Sequence, residues 1–322
     1  MDRGSPARLG GGPGGWESAP AATGAFSLAA ALAAHGAWLD GNREGAPLRL
    51  HGVTLSGRSA AGARLAKASL RYVTWLEGEL AGADLSEAVL EEVDLRRSML
   101  TGADLSRAEL DFVRLDRSYM SAVNLCEARL NACSLAEVHM PECRLIEAAL
   151  RGCDLTRAVA RKGSFHHARI FDCKLVNADF EDALLYHAHI EFSTLNGLGA
   201  AGANFSSAKL HGVECVRAEM SGARFFQADL SRSSFYRADL RRCDFREAVL
   251  KGTEFVRANL SEARFGGADL TGADLRGADL TGALELTPQM LMRAQTDETT
   301  ILPNGSRGPY IRFSGAERPL RR

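Results

Sequence analysis

Proline and cysteine are scarce in this chain, at nine and seven of 322 residues, and aromatic residues make up only 7%. So few cysteines, none in a CxxC pair and none at a metal-ligand spacing from histidine, exclude a disulfide-stapled module or a zinc finger. They read as the free thiols of a cytoplasmic protein. No apolar stretch is long enough to cross a bilayer: the one at residues 26–34 covers nine positions, where about twenty are needed. With Arg3 and Arg8 ahead of it that stretch imitates a secretory signal, which keeps a secreted effector as the alternative location, but it runs on into an amphipathic helix pattern. An excess of one charge is missing too. The chain carries 39 Lys and Arg against 40 Asp and Glu, a net −1, which argues against an overall basic nucleic-acid binder; 46% hydrophobic residues argue against simple disorder. Absent as well are a P-loop, a GxGxxG opening a helix, HExxH and GxSxG. The chain therefore reads as a non-enzyme, with no cofactor and no metal.

What is present is a repeat. From Leu50 to Leu280 every fifth residue is apolar, without an insertion or deletion, and 42 of these 47 centres are Leu, Phe, Ile or Met. The exceptions are Ala60, Trp75, Ala160, Ala200 and Cys215. Two residues before each centre stands a small residue at 44 of 47 sites, with only Leu48, Arg58 and Leu198 departing. Between small and large positions sits a polar residue, often Asp or Asn, as in Ala83-Asp84-Leu85 and Ala278-Asp279-Leu280. A period of five fits neither a helix at 3.6 nor a strand at 2. It buries its centre every time only if the backbone turns a corner once per repeat.

This pattern resembles that of the pentapeptide-repeat family, whose A(D/N)LXX repeats form a right-handed quadrilateral β-helix. The resemblance covers about 230 residues, 50–280, and implies an all-β solenoid of about twelve coils, four repeats to a coil, with residues twenty apart stacked on one face. At the spacing of neighbouring strands such a rod is about 55 Å long. Its ends would expose unpaired edges that the flanks must cover.

Reading every twentieth residue gives the expected columns. Phe165, Leu185, Phe205, Phe225, Phe245 and Phe265 form a ring-rich ladder inside the bore, with Phe235 and Phe255 on a second face. Such a bore leaves no room for a ligand channel. Cys133, Cys153 and Cys173 should lie one above another as small buried thiols. His166, His167, His187 and His189 form a local group, read as solvated surface against the alternative of a metal or pH-sensing site.

Function is then expected on the outer wall. Charge along it is uneven: residues 77–154 hold 16 acidic and 8 basic residues, and 155–264 hold 13 and 16. Arg97, Arg117, Arg157, Arg217, Arg237 and Arg257 share one column, with pairing to acidic residues on adjacent columns such as Glu214 and Glu254 as the plain expectation. Tyr72, Phe112 and Phe192 share another column, and Phe171 and Phe226 also point outward. Together these eleven residues are the candidate interaction surface. The weak repeat at residues 196–202 reads as a bend or loosened coil.

The organisation expected is a disordered tail at 1–24, a capping helix and linker at 25–47, the β-helix at 48–283, and a cap helix with a loosely attached tail at 284–322. Leu28, Leu32, Trp38 and Leu39 are the expected buried side of the first helix. The function expected is a protein-protein interaction scaffold or adaptor, as in a bacterial secretion or effector assembly, with a protein partner and without membrane or direct nucleic-acid contact. The alternative is the role some members of the family play, a DNA mimic that binds DNA gyrase or topoisomerase IV and protects it from poisons. The 32 acidic against 30 basic residues within the repeats weigh against that alternative.

Overall fold

A computed structural model describes residues 26–320, and the tail expected at 1–24 lies outside them. Helix α1 (Leu28–Leu39) precedes nine three-residue strands, from β1 (Arg49–His51) to β9 (Lys209–His211), and helix α2 (Pro288–Arg293) follows. The strands form one parallel sheet in chain order, each pairing with the next at a register of twenty residues, as Leu50 with Leu70 and Ile190 with Leu210. Bridges at the same spacing continue that wall through Asp229, Val249 and Asp269 and build the other three walls. The chain is a parallel β-solenoid.

The five backbone N–H groups of a repeat show why the pattern has this form. At the centre, Leu85 N–H donates to Asp104 O of the next coil at 2.6 Å; just before it, Asp84 N–H donates to Ala63 O of the previous coil at 2.9 Å. At the corner, Ala83 N–H turns back to Leu80 O at 3.0 Å, while Gly82 N–H reaches Thr101 O at 2.9 Å. The corner requires a left-handed residue at its second position: φ is +65° at Gly82, but also +54° at Ala122 and +57° at Arg117. Holding a side chain there costs of order 1 kcal/mol. The fifth N–H, on the first corner residue, has no backbone acceptor, and the Asp or Asn two residues earlier supplies one. Asp84 Oδ1 accepts from Ser86 N–H at 3.0 Å, Asp154 from Thr156 at 2.9 Å, and Asn204 from Ser206 at 3.0 Å. The recurrent Asp is thus a corner cap.

The bore is filled as the columns imply. Phe205, Phe225, Phe245 and Phe265 stack with ring centroids 5.0, 5.1 and 5.4 Å apart, Phe235 and Phe255 stack at 5.6 Å, and edge contacts of 5.9–6.3 Å join the two ladders. All six rings are buried. Cys153 N–H donates to the Cys173 sulfur at 3.4 Å, so the thiol ladder belongs to the packing. The stretch at 196–202 is not loosened. Gly199 bridges both Asp179 and Glu219, because Leu198 is buried in the small site beside the small centre Ala200 and the volume is exchanged rather than lost.

Both ends are closed by non-repeat residues. In α1 the buried residues are Leu28 and His35, while Leu32, Trp38 and Leu39 are only partly buried. His35 Nδ1 accepts from Leu48 N–H at 2.9 Å and Nε2 donates to Ala66 O at 3.0 Å, which pins the helix to the first coil. The linker passes so close that a Cβ on Gly45 would lie 2.1 Å from Trp38 N. At the other end α2 is capped by the Thr287 hydroxyl, and the expected loose tail is instead part of the cap. Leu275 and Leu280 N–H groups donate to Gln295 O and Ile301 O, each at 2.8 Å, Leu302 and Ala316 are buried, and Tyr310 donates to Glu317 at 3.1 Å. The unpaired edge of the last coil supplies the attachment that the tail's composition did not suggest.

Two outcomes are expected. Asp229→Ala removes the acceptor of Ser231 N–H and lowers stability by about 1 kcal/mol, whereas Asp229→Asn costs less, read as shifts in the urea midpoint. Burial lowers the pKa of His35, and Arg64 adds to the shift. Above pH 6.5 the imidazole is neutral whether folded or not; below it the unfolded chain takes up a proton that the folded cap resists, so cap stability falls as the medium is acidified. The protection factor of the Leu48 amide should fall between pH 7.5 and 5, and His35→Gln should flatten that dependence.

Candidate interaction surface

The corner positions project the side chains of the candidate surface, one every coil. Arg97, Arg117, Arg157, Arg217, Arg237 and Arg257 all stand exposed on the corner between the second and third walls. Their pairing is not with adjacent columns. Arg97 meets Glu77 at 3.5 Å, and Arg117 makes a two-pronged pair with Glu137 at 3.0 and 3.2 Å, both within the column. A residue one coil away is the nearest neighbour at a corner, so an acidic residue twenty positions off wins over one on the next wall. The same axial pairing joins Arg107 to Glu127 and Arg129 to Glu109. Hydrogen bonds from Arg117 lower the pKa of Glu137, and those from Arg107 lower that of Glu127. The acid-rich half therefore has many of its carboxylates neutralised in place.

In the other half the column changes character. Among the described residues Arg217 and Arg257 have no carboxylate within ion-pair distance, and Arg237 lies 5.2 Å over the Tyr236 ring. Glu214 is approached by Asn196 instead.

The five outward rings do not form one surface. Tyr72 is 47% exposed and packs edge-on to His51 at 5.1 Å, while Phe112 and Phe192 are each 60% exposed. Forty or eighty residues separate them, so two to four coils lie between. Phe226 is on another corner, partly buried, with Arg246 5.8 Å above it. Only Phe171 and Phe192 meet, edge to face at 5.4 Å, and Arg151 lies 5.5 Å over Phe171. Gly212 stands one coil after Phe192 in its column, so that ring has no long side chain over it from the next coil.

The histidines are drawn into ring stacks. His167 and His187 lie parallel with centroids 4.9 Å apart, and His166 stacks on Tyr186 at 3.7 Å. Burial, with His167 and His187 close by, lowers the pKa of His166; burial and Lys209 lower that of His189. Among the described residues no three His, Cys, Asp or Glu side chains converge on one point. Nor is any helix there long and apolar enough to cross a membrane. The capping contact absent from the expected buried side of the first helix is that of His35, which lies outside the five-residue period.

Residues 218–285 match the model of a pentapeptide repeat region, and residues 79–117, 118–157 and 200–227 match that of pentapeptide repeats in eight copies. The chain belongs to the pentapeptide-repeat family. Among solved members of similar form, HetL, involved in heterocyst differentiation regulation in the cyanobacterium Nostoc sp. strain PCC 7120, is 25% identical; the match covers 84% of this chain and 96% of HetL, with a TM-score of 0.30. Rfr23 from the cyanobacterium Cyanothece 51142 is 24% identical over 33% of this pentapeptide-repeat chain and 82% of its own, with a TM-score of 0.28. QnrB1, a plasmid-mediated fluoroquinolone resistance protein, is 16% identical over 77% and 93%, with a TM-score of 0.21. No curated protein matched the sequence.

Burial should decide thiol reactivity in this pentapeptide-repeat protein. It pushes the pKa of Cys143 up to about 12, and Cys126 alone among the seven is not buried. A thiol reagent added to the native protein should label Cys126 only, and the other six should react after denaturation, as counted by mass spectrometry.

Proposed function

We propose that this protein is a non-enzymatic scaffold that binds another protein through its outer wall. One observation carries the reading: the Phe171–Phe192 edge-to-face pair, capped by Arg151, is exposed on a rod whose interior is packed solid. Exposed aromatic rings beside an arginine are the side chains that anchor protein interfaces. They stand on a strand corner whose backbone is held from both neighbouring coils, so little order has to be gained on binding.

Protection of gyrase or topoisomerase IV is the second reading. The net −8 of residues 77–154 favours it. The axial Arg–Glu pairs weigh against it, because they interrupt the acidic wall a DNA mimic needs.

A photo-crosslinker at position 192 should capture a discrete partner, and Phe171→Ser with Phe192→Ser should abolish co-purification of that partner, while Phe226→Ser leaves it. Retention of the partner by the double variant would overturn the proposed surface. Supercoiling by gyrase with a quinolone present should be unchanged at micromolar protein; rescue of supercoiling would favour the second reading.

A further inference from the structure

We infer that the corner carrying Arg217, Arg237 and Arg257 is a second docking stripe, distinct from the Phe171–Phe192 pair, and that it takes an acidic amphipathic α-helix of a partner protein. Three observations point there. The first is unsatisfied charge. Within one column Arg97 and Arg117 each hold a carboxylate, yet on three successive later coils Arg217 and Arg257 have none among the described residues and Arg237 rests on Tyr236. Like charges stacked one coil apart repel, and an anionic partner relieves the repulsion.

The second is spacing. Successive coils are joined by parallel backbone hydrogen bonds, which sets their spacing at about 4.8 Å. Carboxylates at i, i+4 and i+7 of a helix follow one face at its pitch of about 5.4 Å. An extended strand repeats its same-side residues at about 6.6–6.8 Å, and by the third arginine it would be several ångströms out of step. The helix stays in register within the reach of an arginine side chain.

The third is what flanks the stripe. Val216, Tyr236 and Val256, all partly buried, run beside the arginines and offer an apolar line to an amphipathic helix. Glu214 and Glu254 lie beyond them, and Glu219 stands on the other side. A nucleic acid, charged along its whole width, would meet those carboxylates, whereas a helix with one narrow acidic line would not.

The test uses the full chain and a fluorescent helical peptide with Glu at i, i+4 and i+7 and Val or Leu along the adjacent line. Two competitors are included: a peptide of the same composition with the Glu spacing scrambled, and a single-stranded oligonucleotide. Anisotropy should show salt-sensitive binding of the first peptide, at least about tenfold weaker for the scrambled peptide and for R217E/R237E/R257E. The milder R217Q/R237Q/R257Q should weaken it as well, with unchanged circular dichroism and melting. R97E/R117E and F171S/F192S should leave it unchanged, which separates failure of this stripe from failure of the aromatic site. Equal binding of both peptides, preference for the oligonucleotide, or full binding by the triple variants would overturn the proposal.

Discussion

A backbone that turns every five residues must still find an acceptor for each N–H, and the whole molecule follows from that requirement. Four of the five groups are satisfied by the turn itself and by the coils on either side, as around Leu80–Ala83. Where the repeat carries Asp or Asn, the fifth, left at the corner, is taken by that side chain, as Asp84 takes Ser86. The left-handed residue beside it is strained wherever it is not glycine, and the inter-coil ladder and buried centres offset that strain.

Because the corner is rigid, its side chains stand in columns, and second-corner residues such as Arg107 and Arg117 pair along the column, whereas first-corner residues such as Arg241, Arg246 and Arg276 pair with the Asp two residues earlier. This rule makes the surface readable as electrostatics. Where Arg and Glu alternate along a column they pair, as Arg117 with Glu137; where arginine follows arginine, as from Arg217 to Arg257, the charge stays available. The same rule draws His167 over His187 and lets Phe192 reach Phe171 from the next coil. The packed bore leaves no interior site to compete with the wall, so recognition is proposed to reside in corner residues that the fold itself does not need.

The ends obey different physics from the middle. Interior coils share their hydrogen bonds with identical neighbours, but the first and last coils lack one neighbour each. Helix α1 closes the first through the His35 imidazole, the buried Leu28 and the Arg64–Asp40 pair, and the tail closes the last by lending Gln295 and Ile301 as surrogate coil residues.

The five-residue period by itself required a backbone that turns at every repeat; the resemblance to the family supplied four repeats to a coil, and the twenty-residue register, the phenylalanine ladder and the thiol stack then followed from residues at a constant spacing along the chain. Tertiary structure alone decided what depends on contacts without a period. His35 reaches Leu48 and Ala66 across a non-repeating linker, and the tail is held because the last coil has a free edge. The five outward rings resolve into one pair and three singles, because wall position and coil distance both count, and spacing in the chain reports them only after the corners are placed.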